Sequence, residues 1–385
     1  MRCLAVFIAF CAFAAAQDNA VEQAWGLLRQ GLRPQAVTLL RRIIAERPRD
    51  AEARLLLGSI LQEDGNRDES VAQLTEAVRL RPQSAEAHNA LGEALNAFGE
   101  RAAARPEFEA AVRLDPAFAQ AHVNLGLVLL QAGQFRAAGE ALDRALQLLP
   151  AEPDTAYAHY LRAKVATEQN AVDQAAAQLT AAVALRPDFA EAWSDLGQAR
   201  KTLLQDAPAL AAFERAAALS PADPVVQTRL GSELLDEGKI PPAVEHLREA
   251  ARLDPRNQTA LYKLQLALRA EGQVEEADLV KRRLSELLLE NDRRAQRALS
   301  AVEVNNQGSA LEKTGDLRGA LKKYRAALQL NPDHAGIRVN LAVVLLRLGR
   351  WDDGMAELRE TLKRDPGNSA ARAAIEDAQR QRPPK

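Results

Sequence analysis

The chain has 385 residues, enough for two or three ordinary domains or for one extended array. Aromatic residues make up only 4% of it and charged residues 26%, with alanine and leucine dominating the rest. This composition favours helices, because sheets need β-branched and aromatic residues. The formal net charge of −2 does not support a nucleic-acid binder, which needs clustered basic residues to neutralise phosphates.

The first sixteen residues, MRCLAVFIAFCAFAAA, combine one positive charge, a short apolar run and small residues that end at Ala16. This pattern is typical of a secretory signal peptide, so we expect cleavage between Ala16 and Gln17. The apolar run of about thirteen residues is shorter than the roughly 20 that span a bilayer, although a retained membrane anchor is an alternative. Lipid attachment at Cys11 is another, but Phe10 stands where bacterial lipoproteins carry a small residue.

Both cysteines, Cys3 and Cys11, lie in the segment expected to be removed. The mature chain would then have no disulfide, no thiolate metal site and no cysteine nucleophile. We therefore predict an exported protein, periplasmic or secreted, whose stability comes from packing alone.

The rest of the chain repeats itself every 34 residues. AEAHNALGEAL at 85–95 returns as AQAHVNLGLVL at 119–129 and, less closely, as AEAWSDLGQAR at 190–200. Two insertions interrupt the period, at Pro153–Thr155 and at Asp292–Ser300. The blocks begin at Gln17, Ala51, Ala85, Ala119, Ala156, Ala190, Pro224, Gln258, Ala301 and Ala335.

Small residues and proline recur at fixed positions of the block. Glycine at the eighth position allows two helices to approach closely, although it costs a helix interior about 1 kcal/mol. Alanine recurs at the twentieth and twenty-seventh positions, and proline at the thirty-second ends the second helix. The glycines of this signature are Gly58, Gly92, Gly126, Gly197, Gly231 and Gly308.

These blocks resemble the tetratricopeptide repeat family, whose unit is a 34-residue helix–turn–helix. The resemblance implies an all-α fold, an alpha-solenoid in which the helix pairs stack as a right-handed superhelix. We predict a signal peptide at 1–16, eight repeats at 17–291 and a helical insertion at 292–300. Two more repeats follow at 301–368, and a capping helix and tail at 369–385. Without a proline in the eighth block, its second helix is predicted to be lengthened through 284–299.

No motif of catalysis or cofactor binding is present: there is no GxGxxG, GxxxxGK[ST], HExxH or GxSxG. His88, His122 and His159 share the fourth position of neighbouring repeats, and we interpret them as packing wedges. Equivalent positions on packed helices lie roughly 8–10 Å apart, too far to share one metal ion. We therefore predict no enzyme activity, no metal and no cofactor.

Some members of the family grip a peptide carboxylate with lysine, asparagine and arginine on three consecutive first helices. Asn124 is followed in the next repeat by Tyr157 and Leu161, and Asn340 by Ala370 and Ala374, so the cations are missing. We predict that this carboxylate clamp is absent.

The resemblance implies a groove lined by the second, fifth, sixth, ninth, twelfth and thirteenth positions of each repeat. Acidic residues predominate there in the second to sixth repeats and basic residues in the seventh to tenth. The charge gradient is either a recognition feature or ordinary solvated charge. The candidate groove residues are Glu52, Glu86, Glu93, Asn124, Tyr157, Tyr160, Glu191, Asp195, Arg229, Tyr262, Lys263, Asn305 and Asn340.

By resemblance, the function is protein–protein interaction: a scaffold or adaptor that binds peptide or helical segments of partners outside the cytoplasm. No nucleic acid is expected among the partners, and peripheral association with the envelope is open. One alternative is a subunit of an envelope machine for polysaccharide export or outer-membrane assembly. Another is an enzyme or glycan-binding protein whose site the sequence does not reveal.

Overall fold

The computed structural model describes residues 19–149 and 155–381. Within these ranges the regular structure is α-helical, with twenty α-helices and no strand, which confirms the predicted all-α solenoid. The predicted signal peptide, its cleavage site and both cysteines lie outside the described residues. The chain consists of two compact units, which meet in sequence between Asn170 and Ala171. The boundaries of the repeats and of the helical insertion, which we derived from the 34-residue period, stay a prediction.

Unit 1 contains nine helices in the described ranges, and α1, α3, α5 and α7 each pack on the second helix that follows. In order they are α1 Asn19–Arg29, α2 Arg33–Glu46, α3 Ala51–Glu63, α4 Arg67–Leu80, α5 Ala85–Ala97, α6 Arg101–Leu114, α7 Ala119–Gln131, α8 Phe135–Leu148 and α9 Ala156–Glu168.

Unit 2 contains the other eleven helices of the described part. They are α10 Val172–Leu185, α11 Ala190–Thr202, α12 Asp206–Leu219, α13 Pro224–Asp236, α14 Ile240–Leu253, α15 Gln258–Glu271, α16 Val274–Lys313, α17 Leu317–Leu330, α18 Ala335–Arg347, α19 Trp351–Arg364 and α20 Ser369–Gln381.

The helix ends follow from local sequence signals. Eight of the described first helices begin at a predicted block start, as α5 does at Ala85 and α7 at Ala119. The second helices end two residues before the repeated proline; α4, for example, ends at Leu80 and is followed by Pro82. Proline disfavours helical backbone in the residue before it, which explains the constant offset.

The signature glycines lie where two helices of one repeat meet. A Cβ atom built on Gly126 of α7 would lie 2.5 Å from Cγ of Leu142 on α8, and one on Gly92 would lie 2.7 Å from Cε1 of Phe108. Both partner side chains are fully buried. In the repeats that carry it, glycine therefore sets how closely the first helix approaches the second helix.

The turn between the two helices needs a left-handed residue at the fifteenth position of the repeat. Glycine supplies it in most repeats, as Gly133 does with φ +71°. Asn170 and Leu204 take the same conformation with φ +60° and +57°. Asparagine tolerates this region, whereas leucine is strained in it.

In several repeats the fourth position carries a side chain that donates a hydrogen bond, whereas Leu261 and Val304 occupy it in the eighth and ninth repeats. His122 Nε2 lies 3.2 Å from the carbonyl oxygen of Pro116, and Trp193 Nε1 donates to that of Pro187 at 3.0 Å. Each acceptor is the repeated proline that ends the preceding second helix. The same bond is made by Arg54, His88, Gln227, Arg338 and Arg372. The packing interpretation of His88 and His122 is therefore incomplete: their ring nitrogens join consecutive repeats.

The helix α16 is much longer than the sequence predicted. Its 40 residues span about 60 Å at 1.5 Å per residue, and they include the second helix of the eighth repeat, the insertion and the first helix of the ninth. We predicted a lengthened helix at 284–299 and a new first helix at Ala301. Neither proline nor glycine stands between Leu289 and Gly308, so nothing ends the helix there.

Candidate functional site

The first helices of unit 1 form a row, in which α3 contacts α5, α5 contacts α7 and α7 contacts α9. This row carries the predicted groove positions of unit 1. We call its surface the first-helix face of unit 1. Its residues recur one repeat apart, so side chains on neighbouring first helices meet.

A polar cluster joins α5 and α7 at the centre of this face. Nδ2 of Asn124 donates to Oε1 of Glu93 at 2.8 Å and to Oδ1 of Asn89 at 2.9 Å. Nε2 of Gln120 donates to Oδ1 of Asn124 at 3.1 Å. Asn89 is buried, and the other three are partly buried. We call Asn89, Glu93, Gln120 and Asn124 the Glu93 cluster.

Burial controls the protonation of Glu93. Removal from water raises the pKa of its carboxyl, and the hydrogen bonds from Asn124 and Asn89 oppose that shift without cancelling it. Within the described ranges, no lysine, arginine or histidine forms an ion pair with this carboxylate. Its charge is therefore held by amides alone.

The other candidates of unit 1 differ in their surroundings. Glu86 is exposed and accepts a hydrogen bond from Oγ of Ser84 at 2.8 Å. Glu52 lies 4.0 Å from Arg81, at the limit of an ion pair. On α9, the rings of Tyr157 and Tyr160 stack with their centroids 6.3 Å apart. The face thus offers an exposed carboxylate and an aromatic surface in addition to the cluster.

In unit 2, ion pairs between neighbouring first helices neutralise several of the predicted groove charges. Arg229 on α13 bonds Oδ1 of Asp195 on α11 at 2.8 Å, and Lys263 on α15 lies 3.1 Å from Asp236. Lys201 contacts Asp236 at 2.6 Å. Three of the candidate residues, Asp195, Arg229 and Lys263, therefore already have partners within the chain.

Lys201 also bonds Glu233, a pair that the sequence did not reveal. Glu233 is almost fully buried, with 2% of its surface exposed, and its carboxylate is held by the ammonium of Lys201. A buried carboxylate in this unit is therefore matched by a cation one repeat away. The spacing of 32 residues, close to one repeat, is the signal that could have identified the pair.

The remaining candidates of unit 2 divide into a polar contact and two exposed side chains. Nδ2 of Asn340 donates to Oδ1 of Asn305 at 3.0 Å, which joins α18 to the last part of α16. Glu191 is exposed, and the ring of Tyr262 is 51% exposed. Their availability for binding stays a prediction, as does the charge gradient.

The described residues contain neither a metal-binding cluster nor a membrane-spanning helix. No group of three or more histidine, cysteine, aspartate or glutamate side chains is arranged to hold a metal ion there. Among the helices of 19–149 and 155–381, none combines the length and the apolar character that crossing a bilayer requires.

Comparison with known proteins links these repeats to one family. Sequence profiles of the tetratricopeptide repeat match residues 21–66, 59–117, 97–153, 123–188, 228–286 and 311–377. A 64-residue segment is 36% identical to the Caenorhabditis elegans BBSome complex member bbs-4; it is 17% of this chain and 14% of that protein.

Solved structures show similarity in the fold. Pseudomonas aeruginosa PilF superimposes with a TM-score of 0.52 at 19% identity, covering 58% of this chain and 100% of that one. A tetratricopeptide repeat protein from Parabacteroides merdae gives a TM-score of 0.47 at 15% identity, over 65% of this chain and 97% of that one. Because the profiles match more than half of the sequence and the helices pack in consecutive pairs, the chain belongs to the tetratricopeptide repeat family.

Proposed function

We propose that this protein is a non-catalytic scaffold that binds extended or helical segments of partner proteins on its first helices. The observation that carries the proposal is the first-helix face of unit 1, where Glu93 and Glu86 form no ion pair with any residue that the structure describes. Surfaces of stacked repeats suit long, continuous contacts with a peptide, because each added repeat extends the same face.

Export from the cytoplasm is part of the proposal. Its support is the apolar, small-residue segment that ends at Ala16. N-terminal sequencing of the protein from an envelope fraction should give Gln17 as the first residue. Met1 or a lipid-modified Cys11 as the first residue would contradict cleavage at this point.

The binding surface is tested by charge reversal on the first helices. In a first-helix variant, Glu86, Glu93 and Glu191 become lysine. We expect this variant to lose most of the partner captured from envelope extract by the wild type, with unchanged circular dichroism. Complementary charges speed association, so the capture rate of the wild type should also fall as salt is added.

The matched control makes the same three changes on second helices, at Glu109, Glu140 and Glu214. It should capture the partner as the wild type does, because second helices lie outside the proposed surface. If both triple variants behave alike, or if capture depends on the control positions, the proposed surface is wrong.

A further inference from the structure

Glu93 stands out among the carboxylates of the first helices, because it is partly buried and forms no ion pair within the described ranges. Removing a carboxylate from water is costly unless a cation or several hydrogen bonds compensate for it. In unit 2, the buried Glu233 meets that requirement with Lys201. In the part of unit 1 that the structure describes, no cation performs this role for Glu93.

The amides around Glu93 orient the site but do not neutralise it. Nδ2 of Asn124 divides its donors between Glu93 and Asn89, while Oδ1 of Asn124 is held by Gln120. The carboxylate is thus fixed in position, and it retains acceptor capacity because a carboxylate offers about four lone-pair sites. A ligand that completes the site must bring donors and positive charge.

The surrounding face has the same sign. The eighteen predicted groove positions of α3, α5 and α7 contain four glutamates and no lysine, arginine or histidine. Arg33 pairs with Glu63 at 2.8 Å, and Arg81 approaches Glu52 at 4.0 Å. Glu86 lies seven residues before Glu93, on the same side of α5, and forms no ion pair in the described ranges. The centre of the face therefore carries uncompensated negative charge.

We infer that the Glu93 cluster binds a lysine or arginine side chain of the partner segment, so that the partner is basic at this point. The inference rests on the proposed function and specifies its ligand. Asn89 and Asn124 position the carboxylate, and Glu93 supplies the charge that the cation meets. Glu86, about two helical turns away on the same side of α5, favours a second positive side chain in the same segment.

The direction in which the pKa of Glu93 is displaced agrees with this assignment. Burial raises the pKa of Glu93, which means that the charged form is unfavourable in the free fold. A residue that costs stability is common where binding requires it. The approach of a cation would restore favourable surroundings for the carboxylate.

A positional-scanning library of acetylated dodecapeptides tests the inference. Each mixture fixes one amino acid at one position, and binding to the immobilised full chain is measured at low salt. For the wild type, mixtures with a fixed lysine or arginine should bind best. Glu93→Gln keeps the size of the side chain and one oxygen acceptor but removes the charge, so it should lower the affinity for these mixtures at least tenfold, equal to about 1.4 kcal/mol.

Glu109→Gln on α6 is the matched control, and it should retain the preference for lysine and arginine. If Glu93→Gln retains this preference, or if mixtures with fixed aspartate or glutamate bind best, the inference is overturned while groove binding stands. If no mixture of any composition binds the wild type, both the proposed function and the inference fail.

Discussion

The close approach of α7 and α8 is tested by the replacement of Gly126 with alanine. The added Cβ would lie 2.5 Å from Cγ of Leu142, 2.8 Å from its Cδ2 and 3.3 Å from its Cδ1. Carbon atoms in contact prefer separations of about 3.5–4.0 Å, so the two helices must move apart by about 1 Å. Leu142 is fully buried, so its side chain has no room to turn away.

The expected magnitude follows from two opposing effects. Overpacking of this kind costs about 1–3 kcal/mol, and alanine gains about 1 kcal/mol over glycine in helix propensity. We therefore expect Gly126→Ala to lower the free energy of unfolding by about 1 kcal/mol. Gly26 in α1 is the matched control, because a Cβ there would meet no atom within 4 Å. Gly26→Ala should raise stability by up to about 1 kcal/mol.

Urea unfolding followed by far-UV circular dichroism measures both changes. Midpoints are the appropriate comparison, since repeats couple to their neighbours and a single two-state free energy is not assured. The double variant Gly126→Ala/Leu142→Ala should lose less than the sum of its single variants, because removing the leucine side chain removes the clash. If Gly126→Ala shifts the midpoint upward, as Gly26→Ala does, helix contact is not the reason for glycine.

Four further predictions concern single side chains. Glu93→Gln should stabilise the chain at neutral pH. Because the pKa of Glu93 is raised in the folded state, the charged carboxylate lowers the free energy of unfolding only as pH rises above the ordinary carboxyl pKa. The gain from the substitution should therefore vanish in acid, and urea midpoints measured across pH test this. His122→Phe should cost about 1 kcal/mol by removing the donor to the preceding proline carbonyl, and a neutral result in the same unfolding assay would support the packing interpretation. Leu204→Gly should raise the unfolding midpoint, because leucine at positive φ costs about 1–2 kcal/mol and this side chain, 86% exposed, loses little packing. Asn170→Gly should raise the midpoint less, and equal increases in the two variants would contradict the strain argument. Burial and a bond to a carboxylate raise the pKa of Tyr324 to about 12, so an ultraviolet titration should lose its last tyrosine step in Tyr324→Phe.

The sequence predicted the repeat geometry because its signals are local. Pro82 sets the end of α4, and the block start at Ala85 sets the beginning of α5, with no knowledge of distant contacts. The continuity of α16 was missed for a related reason. A repeat pattern implies a turn in every block, whereas the residues from Leu289 to Gly308 contain nothing that breaks a helix.

At the fourth position of the repeat, the sequence analysis overlooked a hydrogen bond to the carbonyl of the preceding proline. We interpreted His88 and His122 by their size, but Arg54 and Gln227, which occupy this position in two other repeats, share nitrogen donors rather than shape. A comparison by donor capacity would have predicted the bond to the proline carbonyl.

The candidate site depends on which side chains of neighbouring first helices contact each other, and the sequence alone does not give these contacts. Asp195 is neutralised by Arg229, whereas Glu93 forms no ion pair in the part of the chain that the structure describes; both follow from the stacking of neighbouring first helices. The spacing of one repeat brings residues near each other, but only the positions of the side chains decide which pairs form. The sequence therefore predicted the face, and the structure identified in it a carboxylate that amides hold without an ion pair in the described residues.

Carboxyl footprinting of the partner complex tests most directly whether partner segments lie on the first helices. Exposed carboxyl groups are labelled with glycine ethyl ester in the free protein and in the complex with the captured partner, and peptide mass spectrometry gives the labelling of each residue. The account predicts protection of Glu86 in the complex, with unchanged labelling of Glu109 and Glu140 on the second helices. Protection of Glu109 and Glu140 with unchanged labelling of Glu86 would contradict it.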